Sequence, residues 1–261
     1  MKRAKQDYNI QAVANAFRVL QEFKRDQPEW GISDLGRNLA LHKNAVFRIL
    51  ATLEAMGYVE QNPEKETYRL SVQCLELGRA FLRHTSLTHA SMGRLESLRD
   101  QVGESCYLGI LAEEEVLYLE GAQSDHVLHV ASRVGKRLPV YCTAIGKVLL
   151  AFTEPARQKA WLESLSFEPW TSRTLRNRDE FKAQLEQIRR QGYSLDQGEK
   201  NDGVVGVAAP LRDHEGKVVA GLSILGPSVR MSEEALHTKL LPALINTAEA
   251  ISKAMGFQGR P

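Results

Sequence analysis

The sequence predicts an α+β protein, with a winged helix-turn-helix at its N-terminus and then a domain built on an antiparallel sheet. Three observations carry this reading. Apolar residues recur at helical spacing in three segments before residue 57, and two short alternating runs follow around a polar turn. Beyond them, strand and helix patterns interleave unevenly, and the last two strands join as a hairpin. The length of 261 residues suits about two domains at ~150 residues each.

The first helix is read over residues 9–25, where Ile10, Val13, Ala14, Phe17, Leu20 and Phe23 keep the i, i+3, i+4 rhythm. Pro28 and Gly31 end it. A short second helix carries Leu35 and Leu39, with Ser33 as its N-cap. After Ala40, Leu41 and His42, a third helix runs from about Lys43 to Met56. Its stripe is Val46, Ile49, Leu50, Leu53 and Met56, and Gly57 is the natural residue just past its end. Residues 58–61 and 67–70 alternate as two strands around the polar turn 62–66. The short turn between the second and third helices suits two helices that cross steeply.

Residues 72–102 read as helical, with weak breaks at Ser86 and Gly93. Strands follow over 105–111 and 116–120 around an acidic turn, and a third is expected over 128–133. Helices are expected over 144–152, 154–165 and 177–191, the last with Phe181, Leu185 and Ile188 on one face. Strands over 204–211 and 218–225 flank the turn 213–216, and Ser232 caps a final helix to about Met255.

Composition excludes several classes. The chain is 43% hydrophobic and 25% charged, ordinary values for a globular protein. No window approaches ~18 consecutive apolar residues, so no membrane span is expected. The N-terminal stretch lacks the apolar run of a secretory signal, and a cytoplasmic protein is expected. Cys74, Cys106 and Cys142 are odd in number and far apart, which suits neither a disulfide framework nor a zinc site.

Catalytic signatures are missing. Residues 221–225 fail the GxSxG pattern at the last position, and Gly146-Lys147 lacks the upstream glycine of a P-loop. No GxGxxG follows a strand and no HExxH occurs. His126 and His129 lie three apart without a third ligand nearby, and odd spacing on a strand sends them to opposite faces. No enzyme, cofactor or metal is expected.

The third helix is more informative. His42, Lys43, Asn44 and Arg48 place donors on its first turn and a half, opposite the apolar stripe. Such side chains read base edges in a major groove or reach phosphates, although a solvated helix face has the same composition. Lys65 in the hairpin tip is placed to touch a phosphate, but Glu64 and Glu66 flank it. The net charge of +2 lies wholly in the first 75 residues, with eleven basic against nine acidic residues. The remainder holds twenty-three of each. Affinity for double-stranded DNA would come from local placement and from pairing of two half-sites.

On these residues the chain resembles an IclR-family transcriptional regulator. The N-terminal likeness comprises Ile32 to Leu35, Leu41, Lys43, Val46, Arg48, Leu50, Leu53, Gly57 to Val59, Tyr68 to Leu70 and Leu77-Gly78. The C-terminal likeness comprises residues 132–135, 138–151, 192–193, 203–204, 208–211 and 216–227. Residues 137–141, 144–147 and 255–257 are most similar to the sugar-acid-responsive members. The resemblance implies a winged helix-turn-helix over 1–75, a linker helix over 76–102 and a GAF-like effector-binding domain over 103–261. It implies a homodimer, often paired as a tetramer, that binds promoter DNA and represses a catabolic operon until a sugar acid or keto acid arrives.

The family's site positions fall on particular residues. For DNA these are His42, Lys43, Asn44, Ala45, Phe47, Arg48 and Lys65. For the effector they are Val127, His129, Val130, Ala144, Ile145, Asp196, Gly206, Ser223 and Leu225. Val127 and Val130 would form an apolar wall. The amides of Ala144 and Ile145 would face a carboxylate, as helix N-termini favour anions. Asp196 and Ser223 would hydrogen-bond ligand hydroxyls. Gly206 stands where the family often has Cys, and Leu225 where one relative has a pocket Ser. In the reading helix Ala45, Phe47 and His42 replace a common Thr, His and Pro. Gly36 replaces a usual Ala. Three alternatives remain open: an aromatic-acid-responsive regulator, a small-molecule enzyme on a GAF-like domain, and a DNA-binding scaffold that has lost its ligand.

Overall fold

The computed structural model describes residues 9–23, 27–83, 86–91 and 93–259. The chain divides into two compact units, Met1–Thr85 and Ser86–Pro261.

In the first unit, α1 (Gln11–Glu22), α2 (Ile32–Leu39) and α3 (Lys43–Ala55) pack over a three-stranded antiparallel sheet, followed by α4 (Val72–Arg83). The sheet order is β1 (Trp30–Gly31), β3 (Thr67–Leu70), β2 (Val59–Asn62). Its core gathers Val19, Phe23, Leu35, Leu39, Val46, Leu50, Leu53, Val59 and Tyr68. Gly57, at φ +77°, closes α3 with the paired bonds Gly57 N–H to Glu54 and Tyr58 N–H to Leu53, which satisfy two orphan carbonyls. Two expectations need correction here. Ser33 is not the N-cap; α2 starts two residues earlier, after Gly31, because Trp30 and Gly31 are held as a short strand against Tyr68 and Thr67. The rhythm of α1 also overstates its burial, since Ile10, Val13 and Phe17 are exposed within this unit.

The turn between α2 and α3 is tight. Ala40 adopts a left-handed conformation at φ 53°, and the Leu41 amide reaches back to the Gly36 carbonyl at 2.9 Å. A Cβ on Gly36 would lie 2.9 Å from the Leu41 carbonyl oxygen, so this position favours glycine by close approach.

The second unit is a six-stranded antiparallel sheet of order β6-β5-β4-β9-β8-β7 with helices on both faces. Its strands are β4 (Ser105–Ala112), β5 (Glu115–Ala122), β6 (Arg137–Pro139), β7 (Ser194–Gln197), β8 (Val204–Arg212) and β9 (Val218–Pro227). One face carries α5 (Ser86–Ser91), α6 (Arg94–Val102) and α11 (Leu241–Ala254), and Leu222 and Ile224 of β9 point into that core. The short α10 (Glu233–Ala235), capped by Ser232, leads through a π-helical stretch, Leu236–Leu240, into α11. The other face carries α7 (Ala144–Ala151), α8 (Pro155–Ser164) and α9 (Arg178–Gln191), with α7 lying directly on the sheet. Residues 86–102 belong to this unit through Leu87, Ala90, Leu95, Leu98 and Val102.

Residues 128–133 form no strand. They run as an irregular segment, because Arg230 donates to the Leu128 carbonyl at 2.8 Å while Arg133 turns inward to Tyr118. Arg230 is itself fixed by an ion pair to the buried Glu104. The short strands β1, β6 and β7 carry no sequence pattern of their own.

Candidate functional site

The first unit offers one polar face on α3. His42 caps the helix by backbone alone, and Lys43, Asn44, Phe47 and Arg48 follow, all exposed. Ala45 is half-buried, next to the buried Val46. Among the described residues, no carboxylate pairs with Lys43 or Arg48, and no side chain bonds Asn44 or His42. These donors face solvent, while Val46, Leu50 and Leu53 anchor the opposite side. The basic residues around them are occupied instead. Arg37 pairs with Asp34, Arg69 with Glu60, and Lys65 lies 3.7 Å from Glu29. Glu29 also accepts from Thr67 at 2.7 Å, and that bond, with Asn62 and the nearby Lys65 and Arg69, holds its carboxyl below the usual range. Lys65 is therefore engaged at the hairpin tip.

In the second unit the residues expected around an effector separate into two groups. Asp196, Gly206 and Leu225 stand in register across β7, β8 and β9, on the face that meets α7. A Cβ placed on Gly206 would lie 3.4 Å from Leu225 Cγ, 3.6 Å from Ala144 Cβ and 3.7 Å from Asp196 Cβ. These four residues thus converge, and Leu225 with Ala144 occupies the space around position 206. Ser223 lies two residues along β9 on the same face; it is buried, with its hydroxyl 3.5 Å from the Tyr107 carbonyl. Ile145 follows Ala144 and is fully buried. Thr143 caps α7 by accepting the Gly146 amide at 3.2 Å, and Ala144 and Ile145 hold the first helical positions, whose amides have no partner within the helix.

Asp196 is 1% exposed, and its Oδ1 accepts the amides of Gly198 (3.2 Å) and Glu199 (2.8 Å). Burial, and then the charge of Glu199, push its pKa up to about 6 against the pull of Lys147, the Glu199 amide and Arg133. Beside it, Lys147 of α7 forms a buried ion pair with Glu199 at 2.5 Å and also donates to Gln184 at 3.3 Å. The Cys142 thiol is pushed up to about 12, by burial and by Asp196, and is an inert thiol.

The second group borders a cavity of about 570 Å³ at the outer end of the sheet. His129 and Val130 line it, but Val127 is fully exposed and lies outside it. The cavity wall also holds three cations to which the sequence reading assigns no role, Arg133, Lys136 and Lys200. Arg133 is 5% exposed, donates to the Tyr118 hydroxyl at 3.2 Å and lies 5.7 Å from that ring's centroid. Its neighbours 132–135 form part of a motif, which was the available signal; local pattern does not reveal that the guanidinium turns inward. Lys147, set within the otherwise apolar run of α7, was a plainer hint of a buried pair.

No group of three metal-ligating side chains occurs among the described residues, and no described helix is long and apolar enough to cross a membrane.

Residues 12–63 match the IclR helix-turn-helix domain, and residues 79–253 match the bacterial transcriptional regulator IclR C-terminal domain. The chain is 35% identical to the HTH-type transcriptional regulator KdgR of Escherichia coli K12, over 98% of this chain and 97% of that one. A crystal structure of a transcriptional regulator from Rhodococcus sp. RHA1 superposes with a TM-score of 0.85 at 32% identity, covering 95% of this chain and 98% of that one. An IclR homologue from Microbacterium hydrocarbonoxydans, complexed with 4-hydroxybenzoate, superposes at 0.83 with 27% identity, covering 94% and 98%.

Proposed function

The chain belongs to the IclR family of bacterial transcriptional regulators, and from that membership we propose that it is a repressor released by a small organic acid. The matched relatives are regulators and not enzymes. The observation that carries the DNA half is the unpaired face of α3. His42, Lys43, Asn44 and Arg48 are exposed donors on a helix whose other side is locked into the core. Asn and Arg suit bidentate contacts to adenine and guanine, and Lys43 suits a phosphate. In a homodimer, two such helices enter successive major grooves, each wing lying along the backbone. Lys65 contributes less than the helix donors because Glu29 already holds it. We assign the promoter of a catabolic operon as target and the cytoplasm as the working compartment, with dimers or paired dimers as the acting form.

For the effector, the resemblance of residues 137–141, 144–147 and 255–257 to the sugar-acid-responsive members favours a sugar acid or keto acid. Asp196 and Ser223 supply acceptor and hydroxyl to a polyhydroxy chain, and the amides of Ala144 and Ile145 supply donors to a carboxylate. Residues 1–75 act as the reading head and 103–261 as the sensor, with the connection 76–102 joining the sensor's core from residue 86 on. The ligand works only by binding the DNA-competent and DNA-incompetent arrangements unequally. The homologue bound to 4-hydroxybenzoate supports an aromatic acid as the second reading.

The test is a thermal-shift screen over sugar acids, keto acids and aromatic acids, followed by DNA titration with each hit. A ligand raises Tm by mass action without being consumed. Turnover of the hit would support an enzyme instead, and a flat screen would support a scaffold without a ligand.

A further inference from the structure

We propose that the cavity at the outer end of the sheet is an anion subsite, and that the effector is a polyhydroxy acid carrying two acidic groups. The proposal rests on the effector reading above and names the ligand's charge class. Arg133, Lys136 and Lys200 all line this cavity. Among the described residues, none of the three has a carboxylate within 4.0 Å. Asp202 is the one carboxylate in the lining. Three cations against one carboxylate thus line a partly open cavity.

Arg133 makes the arrangement unusual. A guanidinium carries five N–H donors, and burial without a counter-ion is costly. Here the neutral Tyr118 hydroxyl takes one of them. Lys200 rests against the ring of Trp170, and burial lowers its pKa, with the charge of Arg133 adding to the lowering against the opposing pull of Cys142 and Glu168. Cations that repel one another across a cavity gain most from a ligand that brings the missing charge. Arg133 offers the planar fork that takes a carboxylate or phosphate in two parallel bonds, and the lysines act as point charges.

The inner cluster supplies the rest of the recognition. Arg133 acts on Asp196 electrostatically, so it borders both regions. A ligand whose hydroxyls reach Asp196 and Ser223 places an acidic end among Arg133, Lys136 and Lys200. With one carboxylate at the amides of Ala144 and Ile145, the acidic end in the cavity is the ligand's second, so the ligand is either a dicarboxylic sugar acid or a phosphorylated one.

The experiment is calorimetric titration of the full chain with galactarate, 6-phosphogluconate and gluconate, and with inorganic sulfate and phosphate, at low and high salt. One or both of the two-acid sugars should bind at least tenfold more tightly than gluconate at low salt. Which of them binds shows whether the second group is carboxylate or phosphate. Lys200→Gln should bring that ligand to within about threefold of gluconate. Arg133→Lys, which keeps charge and loses the fork, should fall between. If Arg133→Lys does not fold, Lys200→Gln and Lys136→Gln carry the test from the cavity's rim. Equal binding of all three sugar acids, or full affinity in Lys200→Gln, overturns this subsite and leaves the effector reading standing. Binding of sulfate or phosphate as tight as the sugar acids marks an adventitious ion only and also overturns it. Failure of all three sugar acids to bind the wild-type chain overturns this proposal together with the sugar-acid form of the effector reading, and leaves keto and aromatic acids to the thermal-shift screen.

Discussion

Lys147 Nζ and Glu199 Oε1 meet at 2.5 Å inside the second unit, joining the first turns of α7 to the loop that follows β7. Both side chains are at most 8% exposed. The pair ties the helix start that presents Ala144 and Ile145 to the segment that carries Asp196 at one end and Lys200 at the other. Inner cluster and outer cavity are thus set by one electrostatic joint.

Removing one partner leaves a buried charge without its counter-ion. Lys147→Met and Glu199→Leu should each destabilise by about 3–5 kcal/mol. The double replacement should recover most of that loss, because a filled apolar site tolerates what a lone charge does not. Denaturant unfolding of the three variants measures it. Additive losses in the double variant would show that the pair is not coupled.

Asp196 makes stability depend on pH. Its pKa rises from 3.8 to about 6 on folding, so between those values the native chain holds the proton more tightly than the unfolded one. The stability it contributes is highest below the unfolded value and falls as pH rises towards 6, by on the order of 3 kcal/mol. Asp196→Asn should flatten that part of the Tm profile, and ligand should no longer release operator from this variant. Parallel profiles in the two proteins would remove Asp196 as the titrating group.

On the reading helix, Arg48→Ala and Asn44→Ala should each weaken operator binding by about 1–3 kcal/mol if they contact bases. Lys43→Ala should weaken all duplexes alike and lower the salt slope by about one. Lys65→Ala should do less than any of these, because Glu29 already engages that ammonium. Anisotropy titrations on specific and scrambled duplexes separate the cases. A larger loss for Lys65→Ala than for Arg48→Ala would place the main contact on the wing.

Gly36 tests the turn. Alanine is the better helix former by about 1 kcal/mol. Even so, Gly36→Ala should destabilise, because its Cβ would stand 2.9 Å from the Leu41 carbonyl. A rise in Tm would show that the α2–α3 turn relaxes freely.

Much of this was legible in the sequence, and the gaps have physical causes. The helices of the reading head, the Gly57 cap and the last hairpin follow from local periodicity and turn chemistry. The order of the sheet does not. Tyr107 pairs with Ser223 across 116 residues, and no local pattern encodes that register. Residues 128–133 alternate like a strand, yet the tether from Arg230 and the inward turn of Arg133 take them out of the sheet. Asp196 and Ser223 entered through family resemblance, and the structure adds how they converge on α7. Arg133, Lys136 and Lys200 stayed hidden because a cation without a partner is a property of packing. Amphipathic spacing in α1 likewise shows an apolar stripe but not what covers it.

The most direct measurement is an anisotropy titration of a labelled duplex from the region upstream of this protein's gene, with and without the acid that most raises Tm. A ligand-released repressor should bind that duplex far more tightly than a scrambled one, with log K falling linearly as log salt rises. The acid should weaken the complex at least tenfold and be recovered unchanged. Equal affinity for both duplexes, or consumption of the acid, would contradict it.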